Sequence, residues 1–182
     1  MADTNALNAI DKEGEVTRTA SEAQIALEAG DTARAGNLFK QAATMLESSV
    51  SGQRRAPERE LARFLAATHY YKGGAYDEAA RLCRKIQERL LPPYVRALYP
   101  PFLKDVRERS APDYAEKTRS IVLDLSRIAI ETGDDSACRR VLHLIIDHPF
   151  LLPPDRMAFL RASLRANFGG PGRGPKGVEG EV

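Results

Sequence analysis

Apolar side chains recur at spacings of three and four residues along four long stretches of the chain, which is the period of an amphipathic α-helix. No convincing alternation of apolar and polar residues, the pattern of a strand, occurs between them. Ala, Leu, Glu, Arg and Lys dominate these stretches, and all five favour helix. The breaks fall at Gly30, Gly52, Pro57, Gly73–Gly74, Pro92–Pro93, Pro100–Pro101, Pro112, Gly133 and Pro153–Pro154. The pattern predicts an all-α chain of helices joined by short turns.

Three of the turns share one design. Gly30, Gly74 and Gly133 each stand where a helix ends, and glycine adopts the left-handed conformation that closes a helix at the least cost. A new helix then begins, and its apolar residues fall on one stripe. We expect that stripe to bury Phe39 with Ala42 after the first turn, Cys83 with Ile86 after the second, and Leu142 with Ile145 after the third.

The spacing of the turns indicates an internal repeat. Gly30 and Gly74 are 44 residues apart, and Gly74 and Gly133 are 59 apart. A repeat of about 34 residues would leave insertions of about 10 and 25 residues. The polar segment 50–59 and the segment 94–118, which has a short helical pattern of its own, have those lengths.

The middle repeat resembles a known family. Residues 61–92 include Tyr-Tyr-Lys-x-Gly-x-Tyr-Asp-Glu-Ala, which is similar to the middle of a tetratricopeptide repeat (TPR). Ala67 and Ala79 match its small residues and Tyr70 its packing aromatic. The outer repeats are similar but degenerate, through Ala23, Ala26, Ala35, Phe39 and Ala42 in the first, and Ser126, Ala129, Leu142, Ile145 and Pro149 in the third. Together the three cover about 102 residues of the 182.

The resemblance implies a solenoid of stacked helical hairpins. We expect an acidic segment at 1–15 and a TPR-like domain at 16–168, with repeats at about 16–49, 60–93 and 119–152 and the insert at 94–118. A capping helix at 153–168 would bury Met157, Leu160 and Leu164 on one stripe. Residues 169–182 contain six Gly and two Pro, a composition typical of disorder.

In this family the first helices of successive repeats line a concave groove that binds a peptide or helix. Carried over to this sequence, the resemblance predicts six partner-binding residues: Gln24, Phe64, Thr68, Tyr71, Lys72 and Arg127. Ala20, Phe64 and Leu123 stand where some members clamp a terminal carboxylate with polar groups, which argues against that ligand. A groove that is apolar with one or two bases favours an amphipathic helix or an extended apolar segment. Alternatively, some of these residues pack against the acidic segment or the insert helix.

Composition and charge exclude several classes of protein. Of the 182 residues, 43% are hydrophobic, which is enough to form a core and excludes a wholly disordered chain. The chain has 27 Lys and Arg residues against 25 Asp and Glu residues, and a net charge of only +2 does not by itself attract the chain to nucleic acid or anionic lipid. The first residues lack the basic start and apolar core of a signal peptide, and no apolar run could span a membrane. Cys83 and Cys138 are too few for a disulfide framework. We therefore expect a cytoplasmic protein.

No pattern of catalytic or metal-binding residues stands out. His143 and His148 are five residues apart, whereas a zinc pair on one helix needs a spacing near four. Cys83 and Cys138 replace packing residues, so we expect buried, inert thiols. Phosphate-binding loops and nucleophile elbows are missing from the sequence. The sequence therefore predicts a protein that is not an enzyme and holds no metal or cofactor.

These observations predict a non-catalytic adaptor or scaffold for a protein partner. One alternative is a dedicated chaperone, because type III secretion chaperones are similar in having about three such repeats. A second is a nucleic-acid or anion-binding module, because residues 81–109 contain eight bases and three acids. The apolar residues around Tyr94, Tyr99 and Phe102 in this segment instead favour a place in the core or on a partner-binding surface. A third alternative is a homo-oligomer formed through residues 92–110.

Overall fold

The computed structural model describes residues 3–53 and 55–168, without the side chains of residues 3–13 and 167. The described residues form helices and turns and no strand, which confirms the all-α prediction. The helices are α1 (Asp3–Glu28), α2 (Thr32–Ser49), α3 (Ala56–Lys72), α4 (Tyr76–Cys83), α5 (Pro93–Arg96), α6 (Tyr99–Arg109), α7 (Tyr114–Thr132), α8 (Asp135–Asp147) and α9 (Pro154–Phe168), with 3-10 turns at Val50–Gly52 and Glu88–Leu90. The predicted disordered tail, 169–182, lies outside the described residues.

The glycine turns form as the sequence predicts. Gly30, Gly74 and Gly133 have φ values of 84°, 73° and 69°, and each stands between two helices. Such values strain any residue with a Cβ, so glycine is the favoured residue there. The carboxylate of Asp31 accepts from the backbone N–H of Arg34, and that of Asp134 accepts from Ser136 and Ala137, which caps the helix that follows.

The chain divides into two compact units, Met1–Ala115 and Glu116–Val182. In the first unit α1 packs against α2, α2 against α3 and α3 against α4, and α4 packs against α6. Fully buried alanines at the helix contacts allow this close approach, namely Ala23, Ala35, Ala42, Ala43, Ala66, Ala67 and Ala79. Phe39, only 2% exposed, occupies part of the remaining space.

The end of the first unit departs from a regular hairpin. Helix α4 has eight residues and ends at Cys83, so Ile86 lies beyond it and is only partly buried. The insert contains the predicted short helix, as α5 and α6, and it packs on the unit. Tyr99 is buried and donates from its hydroxyl to the Cys83 carbonyl (2.8 Å), so the insert contributes to the core of the first unit.

The second unit consists of α7, α8 and α9 around a core of its own. Met157, Leu160 and Leu164 of α9 are buried, as predicted. The expectation that Leu142 is buried is wrong, because its side chain is 37% exposed. The buried stripe of α8 consists of Ala137, Cys138, Val141 and Ile145, so Ile145 is buried as predicted, whereas Val141 is buried in place of Leu142.

Across the described residues, the helices are either too short or too polar to span a bilayer.

Candidate functional site

Phe64 and Tyr71, two of the predicted partner-binding residues, lie beneath the insert helix α6. The ring of Phe102 in α6 meets both edge-on, with ring centroids 5.4 Å from Phe64 and 5.5 Å from Tyr71. Phe64 also meets Tyr99 edge-on at 6.3 Å and is only 8% exposed. The insert of this chain therefore covers that part of α3, as one of the alternatives drawn from the sequence anticipated.

Tyr71 belongs to a half-buried cluster that fixes α6 in place. Its hydroxyl donates to Asp105, whose other carboxylate oxygen accepts from Arg109 Nε at 3.1 Å. The Arg109 guanidinium lies over the rings of Tyr71 and Tyr76, 5.0 Å and 5.8 Å from their centroids. Burial, and then the hydrogen bond to Asp105, raises the pKa of Tyr71. The Tyr71 phenol is thus the proton donor to Asp105, and the cluster holds α6 against α3.

The remaining predicted residues of the first unit lie nearer the solvent. Thr68 is partly buried and its hydroxyl donates to the Phe64 carbonyl within the same helix, at 2.9 Å. Lys72 and Gln24 are exposed, and the Gln24 amide donates to Glu28 at 2.9 Å. Their role in binding a partner stays a prediction.

Arg127 lies in the second unit on an apolar helix face. Its side chain is 66% exposed, and its guanidinium lies 3.4 Å from a carboxylate oxygen of Asp124. Leu123 and Ile130, seven residues apart on the same face of α7, are 46% and 43% exposed. The resemblance to a tetratricopeptide repeat predicts Arg127 as a partner-binding residue, and Leu123 and Ile130 share its helix face. The structure leaves this face of α7 largely open to solvent.

The basic segment 81–109 does not form one uniform cationic surface. Arg81 binds the Glu47 carboxylate through both guanidinium nitrogens, each at 2.8 Å, and holds the pKa of Glu47 below its ordinary value. Arg96 donates to the carbonyls of Arg89 and Leu91, and Arg109 packs on the tyrosines. Several of these bases therefore join segments of the fold, which reduces the number available to phosphates.

Glu60 is a buried charge that the sequence analysis overlooked. Its side chain is only 2% exposed; one carboxylate oxygen lies 2.6 Å from Arg63 and the other accepts from the backbone N–H of Gln87 at 3.0 Å. The burial of Glu60 could have been predicted from its position in the sequence. Helical spacing places Glu60 on the same face of α3 as the apolar residues Phe64, Ala67 and Tyr71. The carboxylate ties α3 to the turn that follows α4.

In the part of the chain that the structure describes, no three His, Cys, Asp or Glu side chains meet in a group that could hold a metal ion. Cys83 and Cys138 are both buried and free of disulfides, as predicted. Burial raises the pKa of the Cys83 thiol to about 11, which suppresses the reactive thiolate at neutral pH.

Comparison with known proteins finds no family model that matches the chain, and no curated protein or solved structure with detectable similarity to it.

Proposed function

We propose that this chain is a non-catalytic protein-interaction module, an adaptor or scaffold built from TPR-like helical hairpins. Antiparallel helices joined by left-handed glycines, with alanines at their contacts, support the likeness to that repeat. The motif around Tyr70 and Ala79 supports it further, because both residues are buried where the repeat would bury them. Such scaffolds present rows of helix faces to a partner.

The observation that carries the proposal is the open face of α7. Leu123 and Ile130 expose nearly half of their side chains on either side of Arg127. Neighbouring positions of the same helix, Val122 and Ala129, are fully buried, so packing fixes the rotation of α7. The apolar face is therefore presented on a rigid element, as helix-in-groove recognition requires.

The chemistry of this face indicates the kind of partner. Two aliphatic side chains seven residues apart match the apolar stripe of an amphipathic helix or an extended apolar segment. The Arg127–Asp124 pair is exposed, and such a pair is worth about 0–1 kcal/mol, so Arg127 can exchange Asp124 for an acid of the partner. We therefore propose a partner segment with apolar residues and a carboxylate between them.

Helix α6 provides a precedent within the molecule. It packs an aromatic side chain, Phe102, against Phe64 and Tyr71 and adds a carboxylate, Asp105, at the rim. A surface of this chain therefore already accepts an amphipathic helix with an acid at its edge. Binding of a partner to Phe64 would first require α6 to leave, which makes the open face of α7 the better docking surface.

The test compares two variants of the full chain that alter different faces of α7. Leu123→Ser/Arg127→Glu/Ile130→Ser changes the proposed face, and Ile121→Ser/Ile128→Ser changes another exposed pair with the same spacing, 51% and 41% exposed. A partner captured by the parent chain is identified by mass spectrometry, and its isolated binding segment is titrated calorimetrically against each variant. We expect the first variant to lose about 100-fold in affinity and the second to bind like the parent.

Two results would contradict the proposal. If the control variant loses affinity as much as the first, the assigned face is wrong. If the segment contains neither an apolar pair nor an acid, the assigned chemistry is wrong. Equal helicity of both variants by circular dichroism shows that neither has unfolded.

A further inference from the structure

Tyr94 and Leu98 form an exposed apolar projection at one end of the first unit, and we name this pair the knob. Their side chains are 69% and 59% exposed, although Val95 and Tyr99 on the opposite side of the same segment are buried. The hydrogen bond from Tyr99 to the Cys83 carbonyl, and those from Arg96 to the carbonyls of Arg89 and Leu91, fix the local backbone. The projection is therefore held rigidly outward, as a binding surface would be.

The knob stands in a basic neighbourhood. Residues 84–98 contain four bases and one acid: Arg84, Lys85, Arg89 and Arg96 against Glu88, all of them exposed. Apolar residues surrounded by positive charge favour an apolar recess surrounded by carboxylates.

A recess of that kind lies at the other end of the same unit, at the turn between α1 and α2. We name it the α1 recess. It is a cavity of about 320 Å³ lined by Glu22, Ile25, Ala26, Ala29, Asp31 and Arg34. Its wall is largely aliphatic, Ile25 is 66% exposed, and its rim has two carboxylates against one guanidinium. Residues 14–31 contain four acids and one base, all of them exposed, so the acidic character extends along α1 on this side of the unit.

The two surfaces belong to the first and the last members of a series of packed helices. Helix α1 packs on α2, α2 on α3, α3 on α4 and α4 on α6, so the α1 recess lies on the first helix pair and the knob lies beside the last helix. A contact between two different surfaces on two copies is heterologous, so it propagates head to tail unless it closes into a ring.

We propose that the first unit associates head to tail with a second copy of this chain, the knob of one copy entering the α1 recess of the next. The apolar side chains supply the buried area, and the opposite charges of the two ends set the register. The net charge of the whole chain, +2, adds little repulsion between copies.

The experiment uses the full chain and a pair of complementary variants. Tyr94→Ser/Leu98→Ser removes the knob and leaves the recess, whereas Glu22→Lys/Ile25→Ser alters the recess and leaves the knob. Ile121→Ser/Ile128→Ser, which alters another exposed apolar pair in the second unit, is the control. Masses are measured by sedimentation velocity and light scattering across a concentration series reaching about 1 mM, where weak contacts are populated.

We expect the parent and the control to exceed the 20.1 kDa of one chain as concentration rises, and to dissociate as salt rises. Each of the two interface variants alone stays monomeric. Their equimolar mixture forms a two-chain complex and nothing larger, because it contains one intact knob facing one intact recess. Restored association shows that both variants are folded.

Three results overturn the proposal. The parent stays monomeric throughout the series, or either interface variant assembles like the parent, or the mixture stays monomeric. A monomeric parent that instead binds an oligonucleotide, with affinity lost on Tyr94→Ser/Leu98→Ser, would assign the knob to nucleic acid.

Discussion

His69 shows at the scale of one residue how burial makes stability depend on pH. Its ring stacks on Phe39 of α2 with centroids 6.2 Å apart, and its Nδ1 atom is buried without a hydrogen-bond partner among the described residues. Burial first, and the nearby charge of Lys72 second, lower the pKa of His69. The folded state therefore holds the imidazole neutral at a pH where an unfolded chain would protonate it.

Because the pKa of His69 is lower in the folded state than in the unfolded state, the stability of the fold decreases as the pH falls. Above about pH 6.5 neither state is protonated at His69, so its full contribution to stability is present. As the pH falls below that value, the unfolded state gains a proton that the folded state resists. We expect the free energy of unfolding to decrease by at most about 1.4 kcal/mol for each pH unit, down to the folded-state pKa of His69.

Urea unfolding between about pH 7 and pH 5.5 measures this slope. In this range most carboxylates stay ionised, including Glu47 with its lowered pKa. His69→Phe keeps a ring against Phe39 and should flatten the slope, whereas His143→Gln, at an exposed position, should keep it. An unchanged slope in His69→Phe would refute the assignment.

Glu60 supports a second prediction at this scale. Removing a buried carboxylate leaves the guanidinium of Arg63 and the N–H of Gln87 without their partner, so Glu60→Ala should cost about 3 kcal/mol. Glu58→Ala is the control in the same helix, because its ion pair with Arg55 is 3.7 Å long and exposed, and should cost at most about 1 kcal/mol. Urea midpoints compare the two, and equal costs would show that the Glu60 contacts contribute little.

The conformation or burial of a single residue was predictable from the sequence where neighbouring residues in the chain determine it. The positive φ of Gly30, Gly74 and Gly133 and the burial of the cysteines follow from local sequence. The burial of Glu60 depends on Gln87, 27 residues away, and the cover over Phe64 depends on Phe102. Helical periodicity shows which side of a helix a residue occupies, but it does not show which distant segment will lie there.

At the scale of elements, α6 is the piece that completes the first unit. Phe102→Ala would remove a ring that meets both Phe64 and Tyr71, and we expect the loss of about 2–3 kcal/mol, because the ring is half-buried. The amides of α6 should lose protection from hydrogen exchange first. Lys104→Ala, on the exposed side of α6, should leave both stability and protection unchanged. Uniform exchange in the Phe102 variant would show that α6 does not depend on this contact.

The elements themselves were largely predictable, since glycine and proline mark their ends. Pro93 and Pro154 begin helices α5 and α9. The length of α4 was not predictable in this way. A prediction based on the repeat extends α4 beyond Cys83. In the structure α4 ends at Cys83, and the backbone N–H of Gln87, just beyond the helix, donates to the carboxylate of Glu60. Leu142 was misplaced for a related reason. The prediction chose Leu142 rather than its neighbour Val141, and adjacent residues lie about 100° apart around a helix.

At the scale of the whole molecule, the two compact units offer different surfaces. The first has an apolar projection with bases at one end and a recess with acids at the other, and the second has the open face of α7. Composition predicted helices, but it did not predict where the chain divides, because the boundary at Ala115 falls in the first turn of a continuous helix. The partner itself was not predictable from the sequence, because exposed side chains such as Leu123 and Ile130 define the chemistry of a binding segment and not the protein that carries it.

The two cysteines have a consequence for following how the molecule opens. Cys83 is buried in the first unit and Cys138 in the second, and burial raises the pKa of each thiol. A thiol reagent can modify either one only while the surrounding unit is transiently open. The wild-type chain therefore contains one thiol probe of opening in each unit. The rates at which a reagent labels the two cysteines report separately how often each unit opens.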